Sequence, residues 1–149
     1  TYRTAIDDYL KDPDYYRSRL DYYRSEISKC TFREYTTGFF FGRPDETAQI
    51  YDANTYVKDW VYLGMADAEK VYCPEPGRVY YQLEQKNKFC VGDSVEIMKH
   101  TGENLQVRVL DMVNENFEHM DSCPHPRQKF YVDLGTELET LEIIRSNQA

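Results

Sequence analysis

The fold is decided by VYYQLEQKNKFCVGDSVEI, residues 79–97, in which two alternating segments flank a polar turn. Apolar side chains occupy every second position in residues 79–83 and again in residues 95–97. A period of two is typical of β-strands, because successive side chains point to opposite faces of a sheet. The Gly-Asp pair at 92–93 is a turn sequence that precedes the second segment. The stretch therefore predicts two strands joined by a loop.

The same period returns further along the chain, in residues 105–109, 130–134 and 141–143, and residues 57–65 add another apolar segment. So few short strands leave long exposed edges unless the sheet closes on itself. We therefore expect a mainly β fold, a small antiparallel barrel of six or so strands. Its inward-facing side chains are predicted to be Val79, Tyr81, Leu83, Val95, Ile97, Val107, Val109, Phe130 and Val132.

A short helical arm is predicted before the barrel. Tyr2, Ile6 and Tyr9 have the spacing of one helix face. Asp12 is a favoured N-cap residue and Pro13 suits the first position of a second helix, which we expect to continue to about residue 29. These helices have apolar faces without partner helices of their own, so they must pack on the rest of the chain or on another domain.

Charge is divided unequally along the chain, whose net charge is −8. Residues 1–44 contain 8 basic and 7 acidic residues, whereas residues 45–149 contain 10 basic and 19 acidic residues. An acidic domain disfavours non-specific binding to nucleic acids, which depends largely on basic charge. The local exceptions are basic spots around Lys86, Lys88, Arg127 and Lys129, which weaken this argument without reversing it.

Composition also indicates the cellular setting. No apolar run approaches the roughly 20 residues of a membrane span, and no signal peptide is visible. The four cysteines are widely spaced, which favours reduced thiols over a disulfide framework. We therefore expect a cytoplasmic protein without a membrane partner. The chain begins at Thr1 within a helical pattern, which suggests a piece of a longer or processed chain.

One cluster resembles a metal or catalytic site, because His119, Cys123 and His125 are close in sequence. Imidazole and thiolate are suitable zinc ligands, but two prolines stiffen this loop and a fourth ligand is missing nearby. Residues two apart in an extended segment rarely touch, so a Cys–His catalytic pair is disfavoured. We therefore predict no metal site and no catalytic residue in this chain.

The aromatic stretch REYTTGFFFGRP, residues 33–44, allows two interpretations. Its phenylalanines could stack on bases or hold an extended peptide. Alternatively, Phe39, Phe40 and Phe41 lie in extended backbone and are buried between the helical arm and the barrel, which is the interpretation we favour. The candidate substrate-binding residues in the whole chain are Arg33, Tyr35, Phe39, Phe41, Arg43, Lys86, Lys88, His125 and Gln128.

Four motifs in order resemble the C-terminal region of peptidase family U32, over nearly the whole chain. They are REYTTGFFFGRP (33–44), QIYD (49–52), EQKNKFCVGDSVEI (84–97) and CPHPRQ (123–128). The resemblance implies that residues 1–44 are a helical arm and connector from the end of a larger upstream domain. Residues 45–149 would then be a C-terminal accessory β-barrel domain, with the upstream domain as its partner.

The resemblance also implies three alternative functions. The first, which we favour, is a non-catalytic accessory domain of a collagenase-like peptidase, positioning a collagen-like protein substrate. The second is an accessory domain of a tRNA uridine hydroxylation protein, with tRNA as its partner. The third is a purely structural lid on the upstream domain. Some family members carry iron–sulfur clusters on cysteines of the larger domain, and no such motif occurs here, so we expect no cofactor in this chain.

Overall fold

The computed structural model describes residues 1–32, 37–46 and 59–147. The chain forms two compact units, Thr1–Trp60 and Val61–Ala149, which are described separately. The described residues of the first unit form three helices and a turn, and the second unit is built from β-strands. The predicted fold class, mainly β with a short N-terminal helical segment, is confirmed.

Three helices form the first unit: α1 (Tyr2–Lys11), α2 (Pro13–Ser18) and α3 (Leu20–Ser28). The predicted cap at the start of α2 is confirmed, because the Asp12 carboxylate accepts hydrogen bonds from two backbone N–H groups of the first turn. The prediction of one second helix is wrong. The backbone N–H of Arg19 bonds to the carbonyl of Tyr16, three residues back, and the helix is interrupted there.

Aromatic contacts and one acidic group hold these helices together. The ring of Tyr16 lies between those of Tyr9 and Tyr23, with 5.5 Å between centroids in both pairs. Asp8 accepts hydrogen bonds from the Tyr23 hydroxyl at 2.5 Å and from Arg19 at 2.8 Å. Burial, followed by the hydrogen bond to Asp8, raises the pKa of Tyr23 to about 12. The helices thus use part of their apolar faces on each other.

Within the described residues, the second unit contains one seven-stranded sheet. Its strand order is β4-β3-β7-β1-β2-β6-β5. The two edge strands, β4 and β5, are separated by only two residues, so the sheet curls into a half-barrel. The strands are β1 (Trp60–Tyr72), β2 (Tyr80–Gln85), β3 (Ser94–Met98), β4 (Leu105–Arg108), β5 (Asp111–Val113), β6 (Lys129–Asp133) and β7 (Ile143–Asn147).

The core lies inside this curve and matches most of the predicted inward positions. Val107 packs against it while only partly buried. The prediction for Val79 is wrong, since it is 37% exposed and precedes β2, and Tyr80 beside it is buried instead. The predicted side chains that are buried are Tyr81, Leu83, Val95, Ile97, Val109, Phe130 and Val132.

Candidate functional site

Two loops of the sheet run side by side, one between β2 and β3 and the other leading into β6. The N–H of Gln85 donates to the carbonyl of Gln128 at 2.9 Å, and the N–H of Arg127 donates to the carbonyl of Gln85 at 3.1 Å. Further along, the N–H of Val91 donates to the carbonyl of Asp121 at 2.9 Å. These backbone bonds give the loops a fixed relative position.

Buried side chains anchor the two loops beneath their surface. Phe89 and Cys123 belong to the core, and the Phe89 ring meets the Phe130 ring at 5.7 Å between centroids. The amide nitrogen of Gln85 donates to the carbonyl of Cys123 at 3.3 Å. Burial raises the pKa of the Cys123 thiol. A buried thiol with a raised pKa is a packing group, because the thiolate is the reactive form.

A tight turn holds the tip of the second loop. The N–H of Gln128 donates to the carbonyl of His125 at 3.1 Å, and the Gln128 side-chain oxygen accepts from the N–H of His125 at 3.4 Å. Arg127 adopts the left-handed backbone region with φ of 61°. The turn directs Arg127 and the exposed His125 to the surface beside the first loop.

Four basic side chains gather on these loops, and we call Lys86, Lys88, Arg127 and Lys129 the basic loop patch. Lys129 lies directly opposite Glu84 in the antiparallel pairing of β2 with β6. Lys86 bonds to the Glu84 carboxylate at 2.5 Å. The hydrogen bond from Lys86 lowers the pKa of Glu84, and the charges of Lys86, Arg127 and Lys129 lower it further. These charges therefore act on one small region.

Most of the patch has no acidic partner. Residues 61–147 contain 9 basic and 15 acidic residues. Among the residues that the structure describes, five of those basic residues form ion pairs, while Lys88, Arg108, Arg127 and Lys129 form none. Three of these four lie in the basic loop patch. An otherwise acidic domain thus presents a local excess of positive charge beside the Glu84 carboxylate, and such a surface is suited to an anionic ligand.

The structure brings together four of the nine predicted substrate-binding residues. Lys86, Lys88, His125 and Gln128 lie on the two adjacent loops, although they are far apart in sequence. Whether they bind a substrate stays a prediction. Arg33 and Tyr35 lie outside the described residues.

The remaining candidates lie on a turn in the first unit. The N–H of Phe40 donates to the carbonyl of Thr37 at 3.0 Å, and Gly38 and Gly42 both have positive φ. The prediction of extended, buried backbone is wrong, because the two glycines let the chain reverse where a strand would continue. Phe39, Phe40 and Phe41 are 79%, 83% and 81% exposed, and Arg43 follows them on the surface.

Sequence reasoning missed a polar network at the other end of β2. Asp111 accepts hydrogen bonds from the Tyr80 hydroxyl at 2.8 Å and from Arg78 at 3.2 Å. Arg78 also donates to Asp133 at 3.1 Å, and His119 Nδ1 lies 3.2 Å from Asp111 Oδ1. Burial raises the pKa of Asp111, but hydrogen bonds with Tyr80, His119 and a backbone N–H together lower it more. The network ties β2, β5 and β6 together.

In the part of the chain that the structure describes, no group of three or more His, Cys, Asp or Glu side chains is arranged to hold a metal ion. Within the same residues, no helix combines the length and apolar character that crossing a membrane requires.

Known proteins resemble this chain over the same region. The model of the peptidase family U32 C-terminal domain matches residues 62–145. The tRNA hydroxylation protein P1 of Bacillus subtilis (strain 168) is 28% identical over 134 residues, which cover 89% of this chain and 30% of that protein. The chain thus spans about 30% of the length of this curated relative.

Solved structures of a similar domain also exist. They are two crystal structures of the C-terminal domain of a Geobacillus thermoleovorans protein assigned to the U32 peptidases, one of them a selenomethionine variant. Each is 24% identical, covers 58% of this chain and has a TM-score of 0.48; the match covers 99% of the selenomethionine chain and 92% of the other.

Proposed function

Because the chain belongs to peptidase family U32 and contains the family's C-terminal domain, we propose that this domain is an accessory RNA-binding part of a tRNA hydroxylation protein. The reaction itself is assigned to the rest of that protein, whose catalytic domain would be the domain's covalent partner. The domain would hold the tRNA backbone, and it would do so in the cytoplasm.

The observation that carries this proposal is the basic loop patch. Lys88, Arg127 and Lys129 have no ion-pair partner among the described residues, and they adjoin Lys86 on two loops held by backbone hydrogen bonds. Proteins that bind nucleic acids place uncompensated Lys and Arg side chains where they can contact phosphates. The name of the Bacillus subtilis relative supports tRNA as the nucleic acid.

The size of the patch limits the affinity it can supply. Each phosphate that is neutralised contributes about −0.7 to −0.9 to the slope of log affinity against log salt concentration. With about four phosphates, affinity should fall roughly 50- to 150-fold between 50 and 200 mM salt. The 15 acidic residues of residues 61–147 oppose binding anywhere else on this unit. We therefore expect weak, salt-sensitive binding that depends on these four side chains.

The test measures binding of the 149-residue chain to an unmodified tRNA transcript by fluorescence anisotropy. The variant Lys88→Gln/Arg127→Gln/Lys129→Gln should bind far more weakly and lose most of the salt dependence. Arg108→Gln is the matched control, because Arg108 is also without an ion-pair partner in the described residues but lies on β4. Equal binding by the triple variant and the parent would overturn the proposal.

A second candidate function rests on the turn of residues 38–43. Three phenylalanines about 80% exposed are an unusual surface feature, and extended protein substrates are commonly held by aromatic side chains. This observation favours the accessory domain of a collagenase-like peptidase. Gelatin binding that is lost in a Phe39→Ala/Phe40→Ala/Phe41→Ala variant would support it. Binding to neither tRNA nor gelatin would leave the domain as a structural lid.

A further inference from the structure

An aromatic cluster lies on the surface formed by β1, β6 and the hairpin after β5. The rings of Tyr72 and Phe117 are stacked, with 4.1 Å between centroids and 22° between planes. Tyr131 adjoins both, at 6.4 Å from Tyr72 and 5.5 Å from Phe117. Phe117 is 46% exposed, so nearly half of its surface is open to a ligand.

The backbone at Phe117 is held in a conformation that a bulky residue rarely adopts. Its φ is 64°, in the left-handed region that favours Gly, Asn and Asp. The Asn114 side-chain oxygen accepts from the N–H groups of Asn116 at 2.9 Å and Glu118 at 3.0 Å, and the Phe117 N–H bonds to the Asn114 carbonyl. Such strain persists where surrounding bonds enforce it, and it is common at functional sites.

The polar network supports the base of this hairpin. His119 follows the turn and contacts Asp111, which is held in turn by Tyr80. The N–H of Met120 donates to the carbonyl of Met112 at 3.0 Å. The Phe117 ring is thus presented from a braced hairpin, although it is not part of the core. A fixed, exposed ring loses little conformational freedom when a flat ligand binds to it.

Positive charge adjoins the cluster on the same face of the sheet. Lys129 lies two residues before Tyr131 on β6, so the two side chains share one face. Lys70 of β1 is paired with Asp67 at 2.8 Å, so Lys129 is the cation next to the cluster that is left for a ligand. An aromatic surface next to a lysine fits a ligand that has both a flat ring and negative charge. A nucleotide has both a flat ring and negative charge, whereas an apolar protein segment does not combine them.

We propose that the aromatic cluster of Tyr72, Phe117 and Tyr131 stacks on an unpaired base in a single-stranded segment of RNA. The phosphates on either side of that base would contact Lys129 and the rest of the basic loop patch. This inference rests on the proposed function and adds the class of RNA structure recognised. In a duplex the bases are stacked on one another, so a duplex would bind through its phosphates without stacking on the aromatic cluster.

Two probes separate stacking from charge: a short single-stranded RNA with a central 2-aminopurine, and a duplex RNA of the same length. The variant Phe117→Asn removes the ring and suits the left-handed backbone, so folding should be kept, which a melting curve verifies. Phe117→Leu keeps apolar bulk without a π-face, Phe117→Tyr keeps the stacking surface, and Leu105→Ala removes an exposed apolar side chain elsewhere.

Loss of the ring should weaken single-strand binding by about 5- to 150-fold and leave duplex binding unchanged. The 2-aminopurine fluorescence should be quenched by the parent and by Phe117→Tyr, and not by Phe117→Asn or Phe117→Leu. Unchanged single-strand binding in these two variants, or equal loss for both RNAs, would overturn stacking and leave the proposed function standing. A parent that binds neither RNA would overturn both.

Discussion

Two groups of basic residues in the same sheet have opposite surroundings. Arg145 is buried beside Glu96, which lies opposite it in the pairing of β3 with β7. Lys88, Arg127 and Lys129 form no ion pair among the described residues. Both sets contain an arginine, so side-chain type does not explain the difference. Lys129 also has an acidic residue opposite it, Glu84 on β2, but it is exposed and forms no ion pair with that carboxylate, whereas Arg145 and Glu96 are buried together. Burial of the pair therefore separates a cation that stabilises the fold from one that is available for a ligand.

The buried group is well satisfied by its surroundings. Arg145 donates through Nε to Glu96 Oε1 at 2.7 Å, and Gln106 donates to Glu96 Oε2 at 2.7 Å. Removing two charges from water is costly, and hydrogen bonds of this quality are needed to offset that cost. An exposed lysine or arginine has no such cost, and it contributes little to stability. Mutations in the two groups should therefore have opposite consequences.

The largest effect is expected from breaking the buried pair. Arg145→Met leaves the Glu96 carboxylate buried without its cation, which should reduce the free energy of unfolding by about 3–5 kcal/mol. Chemical denaturation measures this loss. The double variant Glu96→Leu/Arg145→Met removes both charges and should recover most of the stability. If the single variant is as stable as the parent, the pair does not have the structural role assigned to it.

A smaller effect is expected from the polar network, and it should depend on pH. Asp111→Asn removes a carboxylate that accepts charged and neutral hydrogen bonds, with an expected loss of about 1.5–3 kcal/mol at pH 7. The pKa of Asp111 is lowered in the folded state, so its contribution is complete above the unfolded value of about 3.9 and is lost as pH falls through the lower folded value.

Urea denaturation of the parent and Asp111→Asn between pH 7 and pH 3 checks this dependence. The difference in stability between the two proteins should shrink as the pH falls below about 4. A difference that grows between pH 4 and pH 3 would contradict the direction of the pKa shift.

The basic loop patch should affect stability much less than it affects binding. Surface substitutions usually change stability by no more than about 0.5 kcal/mol, so Lys88→Gln/Arg127→Gln/Lys129→Gln should unfold nearly like the parent. Scanning calorimetry measures the stability of the same preparations whose tRNA binding is measured by fluorescence anisotropy. A large loss of stability would show that these side chains stabilise the fold, as the buried Arg145–Glu96 pair does.

The smallest effect is expected at the exposed turn of the first unit. Phe39→Ala, Phe40→Ala and Phe41→Ala should each leave the melting temperature unchanged, because these rings are already about 80% exposed. Phe130→Ala is the matched control, since truncating this buried ring should cost about 3–5 kcal/mol. Destabilisation by all three exposed positions would restore the interpretation that they are buried between two parts of the protein.

Sequence reasoning recovered the strands better than the site. The alternating segments at residues 80–85, 94–98 and 129–133 form strands as predicted, although β2 is buried on both faces and not on one. The prediction for Phe39 to Phe41 was wrong because it equated hydrophobicity with burial. Gly38 and Gly42, both with positive φ, instead place these residues on an exposed turn. The division of residues 13–28 into two helices depends on one local hydrogen bond that no periodicity indicates.

The candidate site was only partly readable for a related reason. The sequence identified Lys86 and Lys88 as charged residues beside a turn, and it identified CPHPRQ as a motif of the family. Arg145 has an ion-pair partner, whereas Lys88, Arg127 and Lys129 have none in the described residues. This difference depends on the tertiary structure. The aromatic cluster and the network around Asp111 join residues up to 59 positions apart in sequence, and their residue types alone are unremarkable.

The sequence by itself determined the class of fold, its strands and most of its core, because these follow from local periodicity and from the burial of apolar side chains. It also determined the charge balance and the family resemblance. Only the tertiary structure decided which charges are neutralised, which rings are stacked and which carboxylates are held ionised. Those properties depend on distances between groups far apart in sequence, and Coulomb and hydrogen-bond energies change steeply over a few ångströms.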